Sequence, residues 1–486
     1  MMKLALLFLL FSLPGVAKAE DALLFDFQPR VIPVEVDHSH RRLGSTSMPF
    51  GSPWCDGKPA VWMIGHQPGH QERPWCLTSA NDDETDFVDY DFANSTWQLS
   101  ETTVLERQDP LNAENAKRGW RSNIDRHDCI VMDVNFDGLA ADIVCGVGAI
   151  DGTGYGFNEV YVAQPDGSLI KKLRHHGLNR WPAMRNRVMI KLTAADDGLP
   201  LVMLATLGTH RDDGQSNVHR MFKLIPDDSR KHGFFFQPHS GPWTRYTKAL
   251  CAHKIDVNND GLDDIILCQD KKVGRIYVQH PNSTFSMIRW GGKSTKDWRE
   301  ARVADVTGDG LPDLIVVGNG GRITTQEPSY VRVFRGTGVE PYFDFTRKGI
   351  WFEREMPYAT PNVEILDVNH DGIADIYVVQ ADEMTEGGFC TPNTRTRKFD
   401  TSDWWGASPD PSPDFVPPPD LATDLLLIGT GDDSNKVNEV WMDHVIPGCG
   451  SLIEPFGNNY TMILSQGSMG RPGYSVLLQW FPTKDV

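Results

Sequence analysis

Asp367-Val368-Asn369-His370-Asp371-Gly372-Ile373-Ala374-Asp375 lies between two short apolar runs, Val363 to Leu366 and Ile376 to Val379. The same grammar recurs from Asp256 to Asp264 and from Asp305 to Asp313, with a looser copy from Asp133 to Asp142. Oxygen side chains at loop positions 1, 3 and 5, a Gly at 6 and an acid at 9 suit Ca²⁺, a hard cation that takes six to eight oxygens; the Gly allows the sharp turn that gathers them. Position 7 gives a backbone carbonyl, so its side chain can be apolar, as Leu262, Leu311 and Ile373 are. An EF-hand shares the first half of this pattern but closes with Glu at position 12 between two helices. Here the flanks are β-branched and short, which predicts a loop joining two strands of a hairpin. A metal-free Asp/Asn/Gly turn would explain one copy. It explains three intact copies poorly.

Aligning the copies on the loop glycine gives Gly138, Gly198, Gly261, Gly310 and Gly372, at intervals of 60, 63, 49 and 62. A period above forty residues with strand signals and no helical periodicity predicts all-β propeller blades of four strands. Each unit opens on an aromatic (Trp120, Trp181, Trp243, Trp298, Tyr358), then reads as a strand, the loop, an apolar strand and a third strand such as Asn158 to Val162. The unit at 181–242 lacks the metal pattern, with Thr193, Ala195 and Leu201 where the pattern wants acids and only Asp197 and Gly198 kept. Asp420 to Gly431 and Asn438 to Trp441 repeat the back half of a unit, so they are read as a sixth, with the Pro-rich stretch Pro409 to Pro419 as an insertion. Residues 20–119 supply one further blade and a strand that closes the ring against Ser475 to Trp480, leaving no open sheet edge. The expectation is a single seven-bladed domain of about 67 residues per blade over residues 20–486, with 120–486 holding the other blades. Six or eight blades, or an added N-terminal β-sandwich, are the alternatives.

Residues 1–19 read as a signal peptide: Lys3, the apolar run Leu4 to Phe11, and Ala17-Lys18-Ala19 as the cleavage site. The run is too short to span a bilayer, which needs about 20 residues. The expected protein is therefore secreted and extracellular, with no membrane span. Without Lys3 and Lys18 the 47 basic residues fall to 45 against 65 acidic ones, a formal charge of −20. That field repels nucleic acid and suits cations. The eight cysteines are even in number, as an oxidising compartment predicts. Cys129 and Cys145 flank one Asp-rich loop and Cys251 and Cys268 another, so each pair is expected to staple its hairpin; Cys55–Cys76 and Cys390–Cys449 follow by elimination. Sequons at Asn94, Asn282 and Asn459 are compatible with glycosylation.

These motifs resemble the FG-GAP/VCBS repeat of integrin α-subunit propellers and many secreted proteins, over roughly residues 120–440. The resemblance implies a propeller with Ca²⁺ on loops at one face, and no single function. Carried over by position, it implies metal ligands Asp256, Asn258, Asp260, the Leu262 carbonyl and Asp264; Asp305, Thr307, Asp309, the Leu311 carbonyl and Asp313; and Asp367, Asn369, Asp371, the Ile373 carbonyl and Asp375. Asp133, Asn135 and Asp137 form a fourth set that departs from the pattern: position 9 is Ala141, and the acid arrives one residue late as Asp142, which demands a bulge.

At the other end of each leading strand, aromatic and cationic residues stand together: Trp120, Arg126 and His127; Trp181, Arg185 and Arg187; Trp243, Arg245 and Tyr246; Trp298, Arg299 and Arg302. Aromatic faces hold sugar C–H surfaces, and Arg matches a carboxylate or sulfate with its bidentate fork. Inter-blade packing of the Trp residues and pairing of the Arg residues with acids explain the same pattern without a ligand. Three function classes follow. One is a binding or adhesion module for carbohydrate or an extracellular protein. The second is an enzyme, since some polysaccharide lyases and sugar dehydratases are similar Ca²⁺-bearing propellers, with His127, Tyr246 or His253 as a base. The third is a scaffold in an extracellular assembly. No nucleophile elbow, HExxH or phosphate loop is present, which argues against a common hydrolase or kinase.

Overall fold

The computed structural model describes residues 125–148, 156–172, 186–206, 219–243, 249–269, 274–290, 298–318, 329–356, 359–381 and 425–441, apart from a few positions, and short pieces around 176–183 and 383–391. Within 25–99 and 451–482 it describes the backbone of the strands alone. The described chain is all-β, with one short 3-10 turn at Arg347–Gly349.

Among the described residues the strands form seven four-stranded antiparallel sheets and two two-stranded ones. Four of the larger sheets run strand after strand in sequence: Ser45–Met48 to Thr96–Leu99, Asn186–Thr193 to Phe234–His239, Ala249–Ile255 to Phe285–Trp290, and Trp298–Ala304 to Ile350–Met356. A fifth, from Asp125–Met132 to Leu169–Lys171, skips the two-residue strand Gly156–Phe157, which pairs with Pro182–Ala183. The leading strands of successive sheets pack side by side, from Ser45–Met48 through to Ser451–Phe456.

Strand alternation explains the core. In Pro200–Thr206, Leu201 and Met203 pack with Ala252, Ile265 and Tyr277 of the following sheet, while Val202 and Leu204 pack with Met132, Val144 and Val160 of the preceding one. A strand buried on both faces must be apolar at every position, which is why these runs do not alternate in polarity. Each such side chain contributes about 2 kcal/mol of burial.

The expected pairing of the first and last strands is present. Phe25–Val36 pairs antiparallel with Gly473–Pro482, with a register shift between Ile32 and Glu35. The backbone there forms one strand of 12 residues. The sixth unit read at Asp420 to Trp441 is corrected. Leu425–Gly429 pairs with Asp375–Ala381, so it and Val437–Trp441 complete the sheet begun by Ala359–Leu366. The insertion therefore falls inside one sheet, between its second and third strands. The remaining sheet consists of Ser451–Phe456, Tyr460–Ser465, Gly473–Pro482 and the N-terminal strand.

Cys129–Cys145 and Cys251–Cys268 are disulfides, as expected, each joining directly paired residues of adjacent strands. The side chains of the other four cysteines, residues 1–19 and the stretch 409–419 lie outside the described residues. Asn282 is exposed in a turn, where its Oδ1 accepts from the Thr284 backbone N at 3.2 Å and from Thr284 Oγ1 at 2.6 Å. Asn94 and Asn459 are outside the described residues.

If Phe25–Val36 closes the last sheet, removing residues 20–36 uncovers the whole backbone edge of Gly473–Pro482. The truncated chain is expected to unfold at lower temperature and to self-associate on size exclusion; a monomer with an unchanged midpoint would refute the pairing.

Candidate functional site

The Asp-rich loops share one hydrogen-bond frame. In the loop at 256–264, Asp256 Oδ1 accepts from Asp260 N at 3.2 Å and Oδ2 from Gly261 N at 2.9 Å, while Asp260 Oδ1 accepts from Leu262 N at 2.8 Å. Asp133 and Asp137 repeat these contacts, with Gly138 N donating to Asp133 Oδ2 at 2.9 Å. Asp305 and Asp367 accept from Gly310 N and Gly372 N at 2.7 and 3.0 Å. The effect is to fold positions 1 and 5 onto a common centre. Gly261 has φ +77° with open space around a would-be Cβ, so backbone conformation alone selects glycine there.

The acid at the end of each loop has a second role that spacing does not disclose. Asp264 is fully buried; its Oδ2 accepts from Val257 N at 3.0 Å and Oδ1 from Gln279 N, on the third strand, at 2.7 Å. Asp313 does the same with Val306 N and Thr307 N on one oxygen and Gly336 N on the other. Asp375 Oδ1 accepts from Gly429 N at 2.8 Å, across the insertion. Asp142, one residue late in sequence, still binds Val134 N and Ala163 N, both at 2.7 Å, and a tight turn from Ala141 N to Leu139 O takes up the extra residue. Each of these acids ties its loop to a strand that follows it.

Burial pushes Asp264 up to about 7 and Asp142 and Asp313 to about 6, against the pull of the backbone N–H groups. The neighbouring Asp256 and Asp260 add to the effect at Asp264, as Asp133 and Asp137 do at Asp142. Such a set of carboxylates is self-repulsive, and a bound cation would relieve it. The donors are all oxygen, apart from amides that can rotate. Asn258 Nδ2 now donates to Asp260 Oδ2 at 2.9 Å and Asn135 Nδ2 to Asp137 Oδ2 at 2.8 Å; turning either amide presents an oxygen. Thr307 Oγ1 is buried beside the Asp313 carboxylate. The chemistry of the set fits Ca²⁺. Asn369 lies outside the described residues.

The loop at 193–201, which lacks the metal pattern, holds a cation of its own. Lys223 Nζ reaches Asp196 Oδ1 at 2.9 Å and Asp197 Oδ2 at 2.8 Å, and Ser283 Oγ of the next sheet donates to Asp196 at 2.7 Å. Those contacts, the Ser283 hydroxyl foremost, hold Asp196 below the usual carboxylate range. Burial alone would lower Lys223; its bonds to Asp197 and Asp196 outweigh that and raise it.

At the opposite end, each of five leading strands starts with a register shift: Arg126/Asp128, Asn186/Val188, Ala249/Cys251, Trp298/Glu300 and Ala359/Asn362. In four of them one residue is left out of the ladder, namely His127, Arg187, Leu250 and Arg299. For Arg126, His127, Trp298 and Arg299 the structure describes the backbone alone; Trp120, Trp181, Arg185, Arg245 and Tyr246 lie outside the described residues. Trp243 is half-buried, packing edge-on against Tyr277 at 5.0 Å and against Phe285 at 5.5 Å, with Nε1 donating to the His239 carbonyl at 3.3 Å. Arg302 is committed to protein partners: it binds Glu300 at 2.6 Å and both oxygens of Glu364 at 3.0 Å. Its guanidinium and the buried Glu300 also touch His253 Nε2, so this cluster joins three leading strands.

Asp264→Ala is expected to cost about 3 kcal/mol, because two buried N–H donors lose their acceptor. The pH sign follows from the raised values. A carboxyl that binds its proton more tightly when folded favours the folded state at low pH, and that advantage disappears as pH rises through about 6 to 7. His219, buried and pushed down to about 3, acts oppositely below 6.5. In chelator, stability is therefore expected to fall between pH 6.5 and 8, with a smaller slope in Asp264→Ala. A rising or flat profile in the wild type would contradict this.

No curated protein sequence matches the chain. Among solved structures it is similar to the periplasmic gluconolactonase PpgL of Pseudomonas aeruginosa, at 9% identity over 80% of this chain and 83% of that one, with a TM-score of 0.41. It is also similar to a putative 6-phosphogluconolactonase of Bacteroides fragilis, at 11% identity over 79% and 80%, with a TM-score of 0.41. Neither likeness bears on what this chain binds or turns over. No described helix is long and apolar enough to cross a membrane, and the disulfides are compatible with an extracellular or periplasmic location. Residues 256–316 and 305–378 match the family model described as FG-GAP-like repeat, and the chain carries FG-GAP-like repeats there.

Proposed function

We propose that this chain is a secreted, calcium-binding seven-bladed propeller that serves as a binding module for carbohydrate or an extracellular partner. Seven four-stranded sheets whose leading strands are mutual neighbours, with first and last strands paired, support the ring. Calcium is supported by the repeated loop frame and the all-oxygen donors of the 133, 256, 305 and 367 loops. Asp142 serves as the late acid of the first. The ions would be structural: binding only to the folded chain stabilises it.

The observation that carries the binding half is the repeated register shift at the heads of the leading strands. Bulges are over-represented beside functional sites, where they re-aim a side chain. Here the left-over residues include His127, Arg187 and Arg299, in a chain of net charge −18. A concentration of cations against that background favours anionic sugars, with uronate or sulfate groups as the recognised chemistry. His127, Arg187 and Arg299 would bind and orient such a group at the end of the ring away from the metal loops.

Chelation is expected to lower the melting temperature and added calcium to restore it; an unchanged midpoint in EDTA rejects the metal assignment. On a glycan array that includes anionic polysaccharides, the calcium-loaded protein is expected to bind acidic glycans, and the double variant Arg187→Ala/Arg299→Ala to lose at least tenfold in affinity. Silence of the whole array would reject the carbohydrate reading.

A further inference from the structure

Asn282-Ser283-Thr284 lies in the turn of the hairpin formed by Gly274–Gln279 and Phe285–Trp290. Gln279, the last residue of the first strand, donates its backbone N to Asp264 Oδ1, so the turn stands at the end of the sheet that carries the Asp-rich loops. His280 N donates to the Thr284 carbonyl and Ser283 N to the His280 carbonyl, both at 2.8 Å, and these bonds close the turn.

The three residues divide by side. Asn282 and Thr284 are exposed, whereas Ser283 between them is buried. Ser283 is also fastened to the preceding sheet: its Oγ donates to Asp196 Oδ1 at 2.7 Å and accepts from Asp196 N at 2.9 Å, and its carbonyl accepts from His239 Nε2 at 2.9 Å. The middle residue anchors the turn, and the outer two face solvent.

Within the exposed pair, Thr284 Oγ1 donates to Asn282 Oδ1 at 2.6 Å and Thr284 N donates to the same oxygen at 3.2 Å. A carboxamide is planar, with its oxygen and its NH₂ group on opposite arms. Holding the oxygen against Thr284 therefore turns Nδ2 away from it, and Nδ2 has no hydrogen-bond partner among the described residues. A sugar on that nitrogen must lie outside the folded chain, and the structure leaves the way open. The triplet satisfies the acceptor pattern Asn-x-Ser/Thr with a residue other than Pro at its centre. The two disulfides are compatible with passage through an oxidising compartment, where such acceptors meet their transferase.

We propose that Asn282 carries an N-linked glycan, with the Thr284 hydroxyl needed for its transfer. The bond formed joins Asn282 Nδ2 to the anomeric carbon of a lipid-diphosphate-linked oligosaccharide. The bond broken is the one from that carbon to the diphosphate oxygen, which leaves with the electron pair, and one amide proton passes to the transferase. The glycan stands at the end of the sheets opposite His127, Arg187 and Arg299. It depends on neither the calcium nor the carbohydrate-binding reading, so it can fail alone.

The test secretes the full-length chain from cultured eukaryotic cells and maps the peptide holding Asn282 by mass spectrometry, before and after peptide N-glycosidase in heavy-oxygen water. The wild-type peptide is expected to carry hexose and N-acetylhexosamine before the enzyme, and afterwards to show the Asn282 carboxamide converted to a carboxylate with one heavy oxygen. The glycan should be lost wholly in Asn282→Gln and in Thr284→Ala, and kept in Thr284→Ser, which retains the hydroxyl. A wild-type peptide recovered unmodified before the enzyme overturns the proposal, whether or not any variant folds. A glycan that persists at Asn282 in Thr284→Ala overturns the part assigned to the hydroxyl.

Discussion

A buried aspartate that accepts backbone N–H groups from its own loop and from a later strand is the contact on which this molecule depends. At Asp142, Asp264 and Asp313 one carboxylate serves both places. Without it, hairpin loop and third strand would be joined by sheet hydrogen bonds alone. The cost is a charge placed where burial opposes ionisation, shown by values pushed up to about 6 or 7. A cation bound at the neighbouring oxygens, as proposed above, would offset that cost.

The loop at 193–201 shows how that arrangement survives loss of the pattern. Leu201 replaces the buried acid, and Lys223 brings a fixed ammonium to Asp196 and Asp197. Adjacent loops also touch directly. Asn259 Nδ2 donates to the Gly310 carbonyl at 2.9 Å, and Ala374 N donates to the Asp305 carbonyl at 2.8 Å. The loop at 256–264 therefore braces the one at 305–313, which in turn braces the one at 367–375.

Much of this was legible because it is local. The loop spacing, its glycine and the two disulfides each lie within about twenty residues and follow from turn and ligand chemistry. The pairing of first and last strands was legible because an open edge is a liability. What spacing could not show was nonlocal. Leu425–Gly429 reads as its own unit since a long insertion parts it from Asp375–Ala381, and strand pairing alone reunites them. Lys223 is invisible as a partner of Asp196 until the register of the sheet brings it 27 positions back along the chain. Asp142 looks misplaced by one residue, yet a turn restores its bonds. For the end opposite the Asp-rich loops, sequence shows the cation-rich segments, and the backbone adds the recurring bulge that sets His127, Arg187 and Arg299 apart.

Metal content tests the central claim most directly, since loops that each hold one ion, as proposed, would give the chain a fixed number of ions. Native mass spectrometry of the protein in calcium is predicted to show four ions per chain, one each for the 133, 256, 305 and 367 loops and none for the Lys223 loop. A chain that carries no calcium at saturation would contradict the account.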